Sequence, residues 1–171
     1  MPRDVRPPSS KVSVVALNVH GQLSHGVDEL LQVVGGHDIL VFTETWLGEG
    51  QQAPDIAGYR AFHWARPEAL QAGSERGGIA CYVRTQLHQH ITLEGGDASN
   101  SFAVMRISKD AGFERDLYLF VCYIVPRKNT RISLATRGIW AELRDSVGAA
   151  LSKGQVLIVG DLNARTGHRA D

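Results

Sequence analysis

Four short segments of this chain are almost wholly apolar and rich in β-branched residues: VSVVAL (12–17), ILVF (39–42), LYLFVC (117–122) and VLIV (156–159). Runs of this length without polar alternation favour strands covered on both faces, which puts them at the centre of a sheet between other layers. The polar residue at the end of each run narrows the reading further. VSVVAL leads into Asn18, ILVFT into Glu44, LYLFVC into Tyr123, and VLIVG into Asp161 with Asn163 two residues on. In α/β sheets, ligands collect beyond the carboxyl ends of strands, where loops diverge and side chains converge. Four strands that each deliver a metal- or phosphate-binding group to one rim predict a site there. Taken singly, each residue has a plainer use: Asn18 as a turn former, Glu44 as a surface carboxylate, Tyr123 as core, Asp161 as the start of an Asx turn.

The segments between the runs supply helices and further strands. Val27, Leu30, Leu31 and Val34 recur at helical spacing, with Asp28 and Glu29 suited to the first turn and Gly35-Gly36 to a left-handed stop. A second helix is expected from about Thr130 to Leu151, with Ile132, Ile139, Leu143, Val147 and Ala150 along one side. IACYV (79–83), HQHITL (88–93) and FAVMRI (102–107) read as short strands of an antiparallel meander. No repeat or linker divides the chain. Residues 1–10, polar and proline-rich, read as a disordered arm and not as a secretory signal, so an intracellular protein is expected.

Charge gives no bulk attraction to nucleic acid or membrane, because 18 basic residues balance 18 acidic ones. Binding to a polyanion must rest on a local patch. Arg127, Lys128 and Arg131, just beyond Tyr123, form either such a phosphate-backbone track or a solvated helix start. The longest apolar run, Leu117 to Val125, falls short of the ~18 residues a membrane span needs. Cys81 and Cys122 sit inside apolar runs and read as buried thiols in a reducing compartment. His88 and His90 share a face if their stretch is a strand, but lack a third ligand and read as surface. His63-Trp64 either stack on nucleic acid or pack.

The stretches LNVHG (17–21), DILVFTETWL (38–47), RGGIACYV (76–83), CYIVP (122–126) and GDLNARTG (160–167) together resemble the endonuclease/exonuclease/phosphatase superfamily. The likeness is strongest to the apurinic-endonuclease-like endonucleases of LINE-type retrotransposons. It implies an α/β fold, a partial four-layer sandwich of the DNase I-like kind spanning 11–171, with the first sheet and its helices present and the second half largely missing. It implies Mg²⁺ or Mn²⁺ held by Glu44 and Asn18, Asp161 orienting or deprotonating water, and Asn163 and Tyr123 donating to a scissile phosphate in DNA. Two departures bear on this. His20 stands where some members carry a second acidic residue. No aspartate-histidine pair follows GDLNARTG, and His168 is too close to that motif to replace one. An impaired chain depending on a C-terminal half or a reverse transcriptase domain is therefore expected. A non-catalytic remnant or interaction module, and a phosphatase of the same fold, are the alternatives.

Overall fold

A computed structural model of the chain describes residues 11–24, 26–67, 77–125 and 138–163. The expected arm at 1–10, the basic cluster of Arg127, Lys128 and Arg131, and His168 lie outside them.

Among the described residues, eight strands form two four-stranded sheets. The first has the order β1 (Val14–Asn18), β2 (Ile39–Thr43), β4 (Ile79–Arg84), β3 (Tyr59–Trp64). The second runs β5 (Ile91–Gly96), β6 (Phe102–Ile107), β7 (Leu117–Tyr123), β8 (Gln155–Asp161). β1 and β2 are parallel, as are β7 and β8, and every other pairing is antiparallel. A parallel pair needs a crossover, which α1 (Val27–Val34) supplies in the first sheet and α3 (Ile139–Leu151) in the second. Each crossover brings the carboxyl ends of its two strands to the same end.

Strand periodicity explains the layers. In β2 and β4, Ile39, Val41, Ile79, Cys81 and Val83 point inward, against Ala103, Met105, Ile107, Leu117, Leu119 and Val121 of β6 and β7. The intervening residues Leu40, Phe42, Ala80 and Tyr82 point outward, under Leu30 and Val34 of α1. Phe102, Val104, Tyr118, Phe120 and Cys122 do the same under Ile139, Leu143 and Ala150 of α3. The result is a helix–sheet–sheet–helix sandwich, in which the second sheet, expected to be largely missing, is present with four strands.

The structure corrects several expectations. The four apolar runs are shared between two sheets, and the inner face of the first is covered by the second sheet of this same chain. Among the described residues, of the four runs only those in β2 and β7 are buried on both faces; β1 and β8 each pair on one side, and Leu157 and Ile158 are exposed. The meander forms only in part: β5 and β6 pair antiparallel, but β4 belongs to the first sheet, with the short helix α2 (Thr85–His88) carrying the chain across. His88 therefore ends a helical turn and His90 precedes β5, so the two share no strand face. The left-handed stop after α1 is Gly36 (φ 96°), while Gly35 is extended and donates its N–H to Leu31 O. Among the described residues α3 begins at Ile139.

Cys81 lies in the core between the sheets and Cys122 in the core under α3, so they are two free thiols in separate cores. Burial, with the Asp97 carboxylate adding to it, pushes the Cys122 thiol up to about 12, and burial raises Cys81 as well. A thiolate-selective disulfide reagent at pH 8 is expected to register neither cysteine in the native chain, and both once denaturant is added. Rapid native labelling would mean that one of these cores is open.

Candidate active site at the sheet ends

The carboxyl ends of β1, β2, β7 and β8 meet at one rim, and hydrogen bonds join the two sheets there. Asn18, the exposed last residue of β1, donates through Nδ2 to Glu44 Oε1 (3.0 Å) and to Asp161 Oδ2 (3.1 Å). Glu44 follows β2 in the first sheet and Asp161 ends β8 in the second. Tyr123, buried at the end of β7, lies in register with Asp161 and donates its O–H to Glu44 Oε1 (3.0 Å). Thus one amide and one phenol cross from sheet to sheet.

Backbone conformation fixes these side chains. Of five non-glycine residues with positive φ among the described residues, four belong to this rim: His20 (44°), Glu44 (54°), Trp46 (56°) and Asn163 (45°). Such conformations cost energy in non-glycine residues and persist where surrounding contacts enforce them. Here the enforcing contacts are visible. Val19 N–H bonds Thr43 O (2.9 Å) and Gly21 N–H bonds Glu44 O (2.8 Å), so the loops after β1 and β2 are zipped together. Trp46 N–H bonds Gly77 O (2.9 Å), tying the second loop to the start of β4. The paired glycines of the RGG stretch are needed at this join. Both have positive φ, and a Cβ on Gly78 would stand 2.5 Å from Thr45 Oγ1.

Glu44 is the most heavily engaged group. Its Oε1 accepts from Asn18 and Tyr123, and its Oε2 lies 2.9 Å from His20 Nδ1. Partial burial works to raise its pKa, but the hydrogen bonds from Asn18, His20 and Tyr123 outweigh it and hold the carboxyl below its usual value. Tyr123 moves the other way, because burial, the Glu44 carboxylate and Asp161 all raise it. Its single proton is held by Glu44 in this state. Asp161 is held at both oxygens, Oδ2 by Asn18 and Oδ1 by the Asn163 N–H (3.0 Å). The Asn163 side chain donates to Ile124 O (2.9 Å), closing the loop after β8 onto the end of β7.

All five expected site residues, Asn18, Glu44, Tyr123, Asp161 and Asn163, are therefore brought together. Three further residues stand at the rim beside these five. His20 contacts Glu44, and Trp46 lies edge-to-face with His20 at 4.6 Å between ring centroids. Arg66 is buried after β3, its stem beside Gly77, and its charge works against the rise of the Tyr123 pKa. His63 and Trp64 lie on β3, where the Trp64 ring stacks on Phe62 and is partly buried against the core between the sheets.

The donor set suits a hard divalent cation. It consists of an ionised carboxylate, a second carboxylate one amide away, and amide groups. Among the described residues no three of His, Cys, Asp and Glu are grouped so as to hold a metal ion by themselves, so a cation here would rely on one or two carboxylates, an amide oxygen and water. Mg²⁺ sites that use one or two carboxylates and keep several waters have this open character.

A family model described as "Endonuclease/Exonuclease/phosphatase family" matches residues 15–170. Among solved structures, the chain is similar to a 3′ phosphatase NExo from Neisseria bound to product DNA hairpin, with 15% identity and TM-score 0.64, covering 92% of this chain and 60% of that one. It is similar to the AP endonuclease LMAP from Leishmania major, with 16% identity and TM-score 0.66, covering 90% and 55%. The APE2 catalytic domain from Xenopus laevis matches with 17% identity and TM-score 0.63, covering 90% and 59%. The chain thus spans between 55% and 60% of the length of these three structures. No curated protein matches it.

Proposed function

Because the chain belongs to the endonuclease/exonuclease/phosphatase family, we propose that it carries the first part of a divalent-metal-dependent phosphodiesterase site that nicks DNA. The observation that carries this reading is the Asn18 amide bridging Glu44 and Asp161, with Tyr123 closing on Glu44. The motif pattern favours an endonuclease of the LINE-retrotransposon kind, and the likeness to a 3′ phosphatase bound to a DNA hairpin and to an AP endonuclease agrees with DNA as substrate.

In this reading Glu44 and Asn18 hold the cation, whose chemistry when bound is polarisation of a phosphodiester oxygen and neutralisation of charge on the leaving oxygen. Asp161 orients the attacking water and takes its proton. It suits that task because two N–H donors fix its position without supplying a full charge. Asn163 and Tyr123 turn donors toward the phosphate as negative charge grows there. For Tyr123 that means exchanging Glu44 for a phosphate oxygen as acceptor. None of these steps needs a protein nucleophile, in keeping with two cysteines that lie buried and protonated.

The test is conversion of supercoiled plasmid to nicked circles by the purified chain with Mg²⁺ or Mn²⁺. Cleavage abolished by a chelator supports the proposal. Release of phosphate from a 3′-phosphorylated hairpin without nicking would favour a phosphatase, the activity named for the similar Neisseria protein. Neither activity, with metal still bound, would make the chain a binding module that needs further sequence to act.

A further inference from the structure

His20 has a setting unlike that of the other histidines in the described residues. It lies two residues after Asn18, and its backbone N–H bonds Asn18 Oδ1 (3.1 Å). Its Nδ1 is 2.9 Å from Glu44 Oε2, yet its side chain is 76% exposed. One side of the ring meets Trp46, which is itself immobilised. Gly21 presses on the indole so closely that a Cβ there would fall 2.1 Å from Trp46 Cε3. The imidazole is therefore aimed at a carboxylate from a built wall while remaining open to solvent.

The spacing has a second meaning besides a hydrogen bond. Two ligands each about 2.1 Å from one cation, on adjacent corners of an octahedron, stand about 3 Å apart. That is the separation found between His20 Nδ1 and Glu44 Oε2. The imidazole nitrogen and the carboxylate oxygen are thus spaced as two adjacent ligands of one cation would be.

We propose that His20 is a direct nitrogen ligand of the divalent cation at this rim, and that it shifts the site's preference from Mg²⁺ toward borderline cations such as Co²⁺ and Mn²⁺. An all-oxygen set suits Mg²⁺, whereas imidazole nitrogen raises affinity along the transition series and gives Mg²⁺ little. The inference rests on the reading of Glu44 as a cation ligand. It goes beyond that reading because it assigns a ligand type and a selectivity.

The experiment is calorimetric titration of the full chain with Mg²⁺ and with Co²⁺, together with pulsed electron paramagnetic resonance of added Mn²⁺, which detects directly bound nitrogen. His20→Asn is the first variant, because asparagine accepts a left-handed backbone. It is expected to lower Co²⁺ affinity by about 10-fold or more, leave Mg²⁺ affinity within about threefold, and remove the nitrogen signal. His20→Asp, which puts an oxygen donor in the same place, is expected to move the preference back toward Mg²⁺. Circular dichroism establishes that both variants fold. If Glu44→Gln abolishes binding while His20→Asn keeps the nitrogen signal and both affinities, His20 is no ligand and the reading of Glu44 stands. If Glu44→Gln binds like the parent, or the parent binds none of the three cations, both readings fall.

Discussion

Replacing Asp161 by asparagine is expected to slow plasmid nicking by roughly 10²- to 10⁴-fold, the range over which a lost general base is felt. The substitution is nearly isosteric, so the effect isolates chemistry from shape. The oxygen of the new amide can still accept the Asn163 N–H, and its NH₂ group then faces the Asn18 amide, donor against donor. In the flipped orientation Asn18 meets only a weaker, neutral acceptor. The carboxylate that takes a proton from water is gone in either case. Initial rates of nicked-circle formation measure the loss, and thermal melting serves as the control. Because Asp161 is only partly buried at the end of an edge strand, the melting temperature is expected to change little. A variant that nicks as fast as its parent would remove Asp161 from the reaction.

The second large effect is expected one residue earlier. Gly160 has φ 119°, and a Cβ there would stand 2.0 Å from Cys122 O and 2.9 Å from Cys122 N. The obstructing atoms are backbone of β7, paired in register with Gly160, so no side chain can move aside. Gly160→Ala therefore combines a conformation reserved for glycine with an unrelieved clash. A loss of about 3 kcal/mol or more is expected from the urea midpoint. Gly58→Ala separates the two causes, since Gly58 also has positive φ (84°) but open space around it. Its cost is expected to be about 1 kcal/mol. Equal losses at the two positions would show that backbone conformation alone is being measured. Nicking should fall with Gly160→Ala even where the chain remains folded, because displacing β8 pulls Asp161 away from Asn18.

Gly160 also shows what a sequence can and cannot disclose. The order glycine-aspartate after an apolar run marks the site, but the need for glycine comes from a parallel neighbour 38 positions away in the chain. The convergence of Asn18, Glu44, Tyr123 and Asp161 is legible because each stands at the end of a strand, and ligands gather at strand ends. The division of those strands between two sheets is not. A run such as LYLFVC is apolar on both faces whichever sheet holds it, and VLIV reads as buried although β8 is an edge. YRAFHW carries no clear strand signal, because β3 is an edge strand with Arg60 and Ala61 exposed and its aromatic residues only half-buried. His20 is legible as a departure from an acidic position, but its contact with Glu44 depends on a left-handed turn that the sequence does not announce. Arg66 is silent for a similar reason, since an arginine after a strand reads as solvated, and its burial with its stem beside Gly77 is a tertiary contact.

The four strand ends do not share one mechanical character. Glu44 and Tyr123 extend β2 and β7, each hydrogen-bonded on both sides, whereas Asn18 and Asp161 terminate β1 and β8, each paired on one side only among the described residues. Edge strands open at lower free energy than the interior of a sheet, in fluctuations far short of global unfolding. When either edge lifts, the Asn18 bridge breaks while the Tyr123–Glu44 bond survives. Were either strand to open, the affinity for whatever the rim binds would scale with the fraction of time both are closed.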